Sequence, residues 1–177
     1  FLDSAVSNND KASLEVLQSM GLNLIPIELP DFPTQSLSFV LQAEAAAAFD
    51  ELTRTNKDDK MVRQVQNAWP NVFREARFIP AVEYINANRA RTLLNQKMAK
   101  LMETIDVYLI PSFYGDNLLR TNLTGHPCVV VPNGFNSKGR PTSISFIGDL
   151  YEDGNVLAMA KAYQETTDWH KQYPPKF

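Results

Sequence analysis

Cysteine and histidine are nearly missing from this chain: its 177 residues include one cysteine, Cys128, and two histidines, His126 and His170. A single cysteine excludes an intrachain disulfide and any cysteine-based zinc site. With no His-x-x-x-His or Cys-x-x-Cys spacing either, no metal is expected. His126 precedes Pro127 and reads as a turn residue. His170 reads as the end of a helix, where the dipole favours a cation. Long apolar runs are lacking too. The longest, Ala45–Phe49, falls far short of the ~20 residues that span a bilayer, so no membrane contact is expected. Neither charge dominates: 17 Lys and Arg stand against 20 Asp and Glu, with the basic residues dispersed. That excludes the basic footprint of a nucleic-acid binder. Gly-x-Gly-x-x-Gly and the Walker pattern are absent, and no cofactor is expected. Gly-x-Ser-x-Gly is absent as well. A triad through Ser112 and His126 can be drawn, but no spacing rule supports it.

What is present belongs to an α/β protein. The hydrophobic share of 44% suits a chain of this length that buries roughly 70% of its unfolded surface. Leu14, Leu17 and Met20 predict a helix over 10–20, capped by Asn9 or Asp10 and closed by Gly21. Residues 22–29 read as a strand, with Pro26 demoting it to an edge or a bulge. A second helix is predicted over 36–54, capped by Ser36 or Thr34, its inner stripe Leu37, Val40, Leu41, Ala47, Ala48 and Leu52. Residues 55–78 read as short helical pieces with a mobile stretch near 55–62. Pro80 opens the longest helix, 80–105, followed by strands at 107–110, 128–131 and 142–147 and a last helix over 155–168. Gly134 and Gly139 bracket a turn that makes the last two strands a hairpin. The fold class expected is α/β, a mixed β-sheet flanked by helices.

Six of the seven glycines lie between Gly115 and Gly154, so tight turns and close backbone approaches concentrate late in the chain. The polar stretch Thr121-Asn122-Leu123-Thr124-Gly125-His126-Pro127, with Ser112-Phe113-Tyr114-Gly115-Asp116 before it, reads as a pocket rim. An ordinary surface loop fits the same residues, with Asn122 bonding its own turn.

These residues carry a resemblance. Asn122-Leu123-Thr124-Gly125-His126-Pro127, then Val129-Val130-Val131-Pro132-Asn133-Gly134-Phe135, Gly139-Arg140-Pro141 and Ile144-Ser145-Phe146-Ile147-Gly148 resemble a sequence block of the amidase signature family. Asp106-Val107-Tyr108-Leu109-Ile110-Pro111-Ser112 is similar to its strand ending in Pro-Thr. Ala162-Tyr163-Gln164 and Thr167-Asp168-Trp169-His170 are similar to its closing helix. Tyr84, Ala87 and Arg89 also fit, and residues 12–54 match more loosely.

The resemblance implies the C-terminal half of the amidase signature fold, within a larger amidase domain. Such enzymes hydrolyse amides with a Ser–cis-Ser–Lys triad whose nucleophile sits in a Gly/Ser-rich stretch. This chain has no Gly-Ser or Ser-Gly dipeptide, and none of its nine lysines sits in a recognisable family motif. No catalytic residue is therefore assigned here. The chain, which opens at Phe1, reads as the end of a longer protein. Its expected partners are the N-terminal half of the same enzyme and a small-molecule amide. Self-association through an exposed apolar helix face is left open, as is the compartment, since a targeting segment would precede Phe1. The resemblance further implies substrate-binding roles for Ser112, Phe113, Tyr114, Asp116, Arg120, Thr121 and Asn122. Phe113 and Tyr114 would form an apolar wall, and Asp116 or Arg120 would select a polar or charged group. The alternatives are a non-enzymatic fragment and an α/β binding module with its ligand at 112–127.

Overall fold

The computed structural model describes residues 7–174. In chain order it holds helices α1 (Asn8–Ser19), α2 (Phe39–Ala48), α3 (Asp50–Arg54), α4 (Trp69–Ala76) and α5 (Ala81–Met102), strand β1 (Val107–Pro111), helix α6 (Asn117–Thr124), strands β2 (Cys128–Phe135) and β3 (Pro141–Gly148), and helix α7 (Asp153–Thr167). Helices and strands together give the α/β class that the pattern predicts. The described residues divide into two compact units: residues 7–31 with 96–174, and residues 32–95.

The first unit is built on a three-stranded antiparallel sheet in the order β1-β3-β2. The predicted hairpin is there, with Cys128 opposite Ile147 and Phe135 opposite Pro141. Its turn is shorter than expected. Gly139 lies in the turn, but Gly134 sits inside β2 at a register shift after Pro132, with φ +133°. A β-carbon there would come within 2.8 Å of the Asn9 side chain. That side chain donates through Nδ2 to the Phe135 carbonyl (3.0 Å) and to Thr142 Oγ1 (2.8 Å), stapling α1 to the hairpin.

One sheet face is apolar. Val131, Ile144 and Phe146 pack with Leu17 of α1 and with Val156, Ala160 and Tyr163 of α7, all buried. Burying a side chain of that kind is worth ~1.5–3 kcal/mol, so this cluster carries the unit. At its polar edge Ser13 Oγ and Tyr163 Oη share a hydrogen bond of 2.8 Å and Asn133 Nδ2 donates to Asp10 Oδ1 at 2.9 Å, while Asn133 Oδ1 is buried without a partner among the described residues. α1 is capped by Ser7, not by Asn9 or Asp10. Ser7 Oγ accepts from the Asp10 N–H, and the Asp10 carboxylate accepts in return from the Ser7 N–H. This is a capping box, in which the acidic residue closes the cap from the third position. Gly21 takes φ +84° just beyond the helix, as its type predicts.

Residues 22–29 are not a strand. They hold no regular secondary structure, and among the described residues none of the backbone groups from 23 to 29 forms a backbone–backbone hydrogen bond. Alternation of apolar residues is legible in sequence; a strand also needs a neighbour, and none is paired here.

In the second unit the helix predicted over 36–54 is broken. A 3₁₀ turn at Thr34–Leu37 precedes α2, and Phe49 leaves helical geometry between α2 and α3, its ring stacked 5.5 Å from Phe73. Neither Thr34 nor Ser36 caps α2 with its side chain. Of the expected stripe, Leu37 and Val40 are buried, whereas Leu41, Ala47 and Ala48 face outward; Ala46 joins Phe73 and Ala76 in the core. The 55–62 stretch contains a 3₁₀ turn, Lys57–Lys60, whose Asp58 is buried 2.6 Å from Arg74.

α5 runs close to the predicted bounds, behind Pro80. Its apolar residues divide between two faces: Ala87, Leu94, Met98 and Met102 are buried, while Val82, Ile85 and Leu93 are more than half exposed. The last three share one exposed side of the helix.

Candidate functional site

The second face of the sheet is where polar residues gather. Tyr108 and Ile110 of β1, Ser145 and Ile147 of β3, and Cys128 and Val130 of β2 alternate onto it. Helix α6 covers part of this face. Tyr108 Oη donates to Asn117 Oδ1 at 2.8 Å, and burial raises the tyrosine pKa well above its ordinary value, so it stays a neutral donor. Ser112, just past β1, shares a 2.9 Å hydrogen bond with Ser145 Oγ. Cys128 is exposed at the start of β2, yet desolvation raises its thiol pKa against the opposing hydrogen bond from Ser145. A raised pKa disfavours the thiolate, the nucleophilic form.

Helix α6 is an element that the sequence pattern misses. The stretch 117–124 reads as loop because Thr and Asn favour turns. In the folded chain those side chains bond back along the helix: Thr121 Oγ1 to the Asn117 carbonyl, Asn122 Nδ2 to that of Leu118, and Thr124 Oγ1 to that of Arg120. Gly125, at φ +83°, terminates it in left-handed geometry. That glycine, eight residues after Asn117, is the one signal in the sequence for a helix end.

The seven predicted site residues separate into two groups. Ser112, Phe113 and Tyr114 form the turn after β1, with Phe113 at φ +67° and 84% exposed. Strain of that kind costs ~1–3 kcal/mol in a bulky residue and collects at functional turns. Tyr114 also borders a groove of about 860 Å³ that runs between β1 and residues 22–29. The other four lie on or beside α6. Arg120 is buried, its guanidinium donating to the Pro30 carbonyl at 2.9 Å and to both Asp116 carboxylate oxygens at 3.2 Å. Thr121 is buried with its hydroxyl used inside the helix, and Asn122 is exposed with its amide likewise used. Asp116 and Arg120 are therefore joined to each other and to the 22–30 segment, and their charges are not free in an empty rim.

Ser112 and His126 do not meet as a triad. His126 is buried, with Nδ1 2.8 Å from Thr124 Oγ1 and Nε2 3.8 Å from Asp149 Oδ1, whereas the partner of Ser112 is Ser145. Burial lowers the His126 pKa, the nearby Asp149 opposing it only in part. Neither hydroxyl of the Ser112–Ser145 pair is hydrogen-bonded to a lysine among the described residues. Activation of a serine calls for an adjacent general base, and among the described residues the hydrogen bond recorded for Ser112 Oγ is the one to Ser145.

Comparisons with known proteins place this geometry. No protein-family model matches the chain. It is 24% identical to a glutamyl-tRNA(Gln) amidotransferase subunit of Rippkaea orientalis, in a match that covers 98% of this chain and 44% of that protein. Against the corresponding protein of Acaryochloris marina it is 31% identical over 51% of the chain and 23% of the relative. Among solved structures, it superposes on a bacterial aryl acylamidase of the amidase signature enzymes with a TM-score of 0.76 and 16% identity, covering 96% of this chain and 42% of that one. The peptide amidase of Stenotrophomonas maltophilia gives a TM-score of 0.72 and 20% identity, covering 96% and 41%. The chain thus spans less than half the length of the curated relatives it matches, in their C-terminal part, and it carries the fold of amidase signature enzymes over nearly all of its residues.

Proposed function

We propose, from the amidase signature fold that this chain carries, that it is the C-terminal portion of an amide hydrolase of the Ser–cis-Ser–Lys type. The observation that carries this reading is the match itself: almost all of the chain aligns, in sequence and in fold, with less than half of each amide-processing relative. In this reading the residues that attack the amide belong to the N-terminal half. A neutral lysine there relays a proton through one serine to activate another, and backbone N–H groups hold the oxyanion. This chain completes the sheet of the larger domain and lends one wall to the substrate pocket.

That wall is the turn Ser112-Phe113-Tyr114. Its aromatic rings present apolar surface to the acyl or amine part of a small amide, and Ser112 offers a hydroxyl. Asp116, Arg120, Thr121 and Asn122 support the wall from behind: the Asp116–Arg120 pair ties α6 to the Pro30 carbonyl. Among the described residues the polar groups of 117–124 are largely turned inward upon the helix, which speaks against a free-standing binding module at 112–127.

The test is activity with and without an N-terminal half. The 177-residue chain alone is expected to hydrolyse glutamine, anilide and peptide amides no faster than buffer. Joined to an amidase N-terminal half that retains its triad, it is expected to support hydrolysis, with Tyr114→Ala raising KM more than it lowers kcat. Hydrolysis by the chain alone above the buffer rate would overturn the assignment.

A further inference from the structure

The hydrogen bonds around His126 decide which of its ring nitrogens carries the proton. The side chain is 0% exposed, and Nδ1 stands 2.8 Å from Thr124 Oγ1. A threonine hydroxyl has one proton to give. Thr124 directs it at the Arg120 carbonyl, 2.9 Å away, and a carbonyl only accepts. The hydroxyl is therefore the acceptor toward the ring, and Nδ1–H is the donor. A neutral imidazole has a single N–H, so Nε2 carries a lone pair. That nitrogen is buried without a hydrogen-bond partner among the described residues, 3.8 Å from Asp149 Oδ1. Two electron-rich atoms so placed repel each other unless a proton lies between them.

Asp149 is itself tied to a strained turn. Its Oδ1 accepts from the Leu150 N–H at 2.8 Å, and its carbonyl accepts from the Glu152 N–H at 3.1 Å. These bonds close a turn over 149–152 whose third residue, Tyr151, has φ +68° and is 95% exposed. Glycine or asparagine ordinarily takes that place, and a bulky residue there is held against its preference. The turn stands against the end of α6: the Gly148 N–H donates to the Pro127 carbonyl at 3.1 Å, and a β-carbon on Gly125 would touch the Leu150 side chain at 3.8 Å. The other charges nearby are engaged elsewhere. From α6, Arg120 sends its guanidinium to Asp116 and Pro30. From β2, the Cys128 thiol lies against Ser145. From the turn, Glu152 accepts from Asn155. Asp149 is the one charged group that acts on the ring among the described residues.

We propose that His126 and Asp149 form a proton-operated latch between the end of α6 and the strained turn after β3. With the ring neutral the latch is open, because lone pair and carboxylate oppose each other. A proton from water that binds Nε2 closes it. The new N–H donates to Asp149 Oδ1, repulsion becomes an ion pair, and the turn that carries Tyr151 is fastened to the helix end. The bond to Thr124 is kept, since Nδ1–H donates in both forms. Burial holds the ring neutral to lower pH than usual and Asp149 works against it, so the latch closes on the acid side of neutrality. Closing lessens, and does not reverse, the loss of stability that a buried histidine brings in acid. The latch is made of this chain's own residues and stands whether or not the chain serves an amidase.

The experiment is NMR of the isotope-labelled 177-residue chain, titrated downward from about pH 8, where an ordinary histidine is neutral. At the start Nδ1 is expected to resonate as a protonated ring nitrogen and Nε2 as an unprotonated one. On acidification Nε2 gains its proton, and the Asp149 carboxylate carbon shifts with the same midpoint. Asp149→Asn keeps the shape and removes the charge, so it is expected to move the His126 midpoint to lower pH. The Glu152 amide reads the fastening: its exchange rate in the variant, divided by that in the parent at the same pH, is expected to grow about threefold from above the midpoint to below it. A neutral ring protonated at Nε2 overturns the latch. So does an unmoved midpoint in Asp149→Asn, or an exchange ratio that does not change with pH. Should the variant fail to fold, the parent's spectra decide alone: an Asp149 carboxylate that does not follow the His126 titration refutes the proposal, and one that follows it supports it.

Discussion

At the scale of the residue, two positions combine tight geometry with a measurable consequence. A β-carbon on Gly148 would stand 2.2 Å from Cγ2 of Val156, a core side chain that has no room to move. Overpacking of this kind costs ~1–3 kcal/mol, so Gly148→Ala is expected to lower stability by about that much in urea denaturation. An unchanged midpoint would mean that β3 and α7 are less closely packed than they stand. His126 is the second. Its side chain is 0% exposed and burial lowers its pKa below the ordinary 6.5, so the fold favours the neutral ring. The unfolded chain binds the proton more readily, and stability rises with pH where that is so. This contribution is complete above pH ~6.5 and is lost as pH falls from there toward the lowered folded value. His126→Gln is expected to flatten the stability–pH curve across that window. A curve as steep as that of the parent would assign the acid sensitivity elsewhere.

At the scale of the element, α6 depends on one brace. No side chain caps its start, since Asp116 makes no capping hydrogen bond. Asp116 instead pairs with Arg120, and Arg120 reaches the Pro30 carbonyl beyond its own helix. Removing a buried donor leaves its acceptor unsatisfied at ~1–3 kcal/mol, so Arg120→Ala is expected to destabilise by about that amount. The Asp116 side chain is partly open to solvent, and Asp116→Ala is expected to cost less, under about 1 kcal/mol. Arg120→Lys should not restore the parent stability, because a single ammonium cannot serve two partners through a planar fork. Midpoints equal to the parent's for all three variants in thermal unfolding would show that the brace does nothing for the fold.

At the scale of the whole molecule, the chain has the fold of amidase signature enzymes over nearly all of its residues. Its serine pair, Ser112 and Ser145, has no lysine hydrogen-bonded to it among the described residues. The 177-residue chain is expected to resist a serine-directed fluorophosphonate at concentrations that label an intact amidase fully. Mass spectrometry decides it: an adduct on Ser112 or Ser145 would show a nucleophile where the geometry provides none. The exposed Val82, Ile85 and Leu93 of α5 belong to this scale too. Three large apolar residues on one helix surface make an exposed apolar strip of the kind that marks interaction surfaces.

The sequence by itself determined the helices and strands whose pattern is local. α5, the β2–β3 hairpin and α7 follow from periodicity and from Pro and Gly at their ends, which act over a few residues. The family resemblance was legible for a related reason: its motifs are short runs in which turn glycines and prolines fall at fixed offsets. What the tertiary structure decided is whatever depends on a distant partner. Residues 22–29 have a strand's alternation, yet pairing needs a neighbour's backbone, and sequence pattern does not report one. Residues 117–124 have a turn's composition, yet they form a helix because their hydroxyls and amides bond along it and Arg120 ties it to Pro30. The partners of the rim residues are likewise a matter of the fold. The resemblance implies that Asp116 or Arg120 selects a polar or charged substrate group, and only the fold shows that each has the other as its partner.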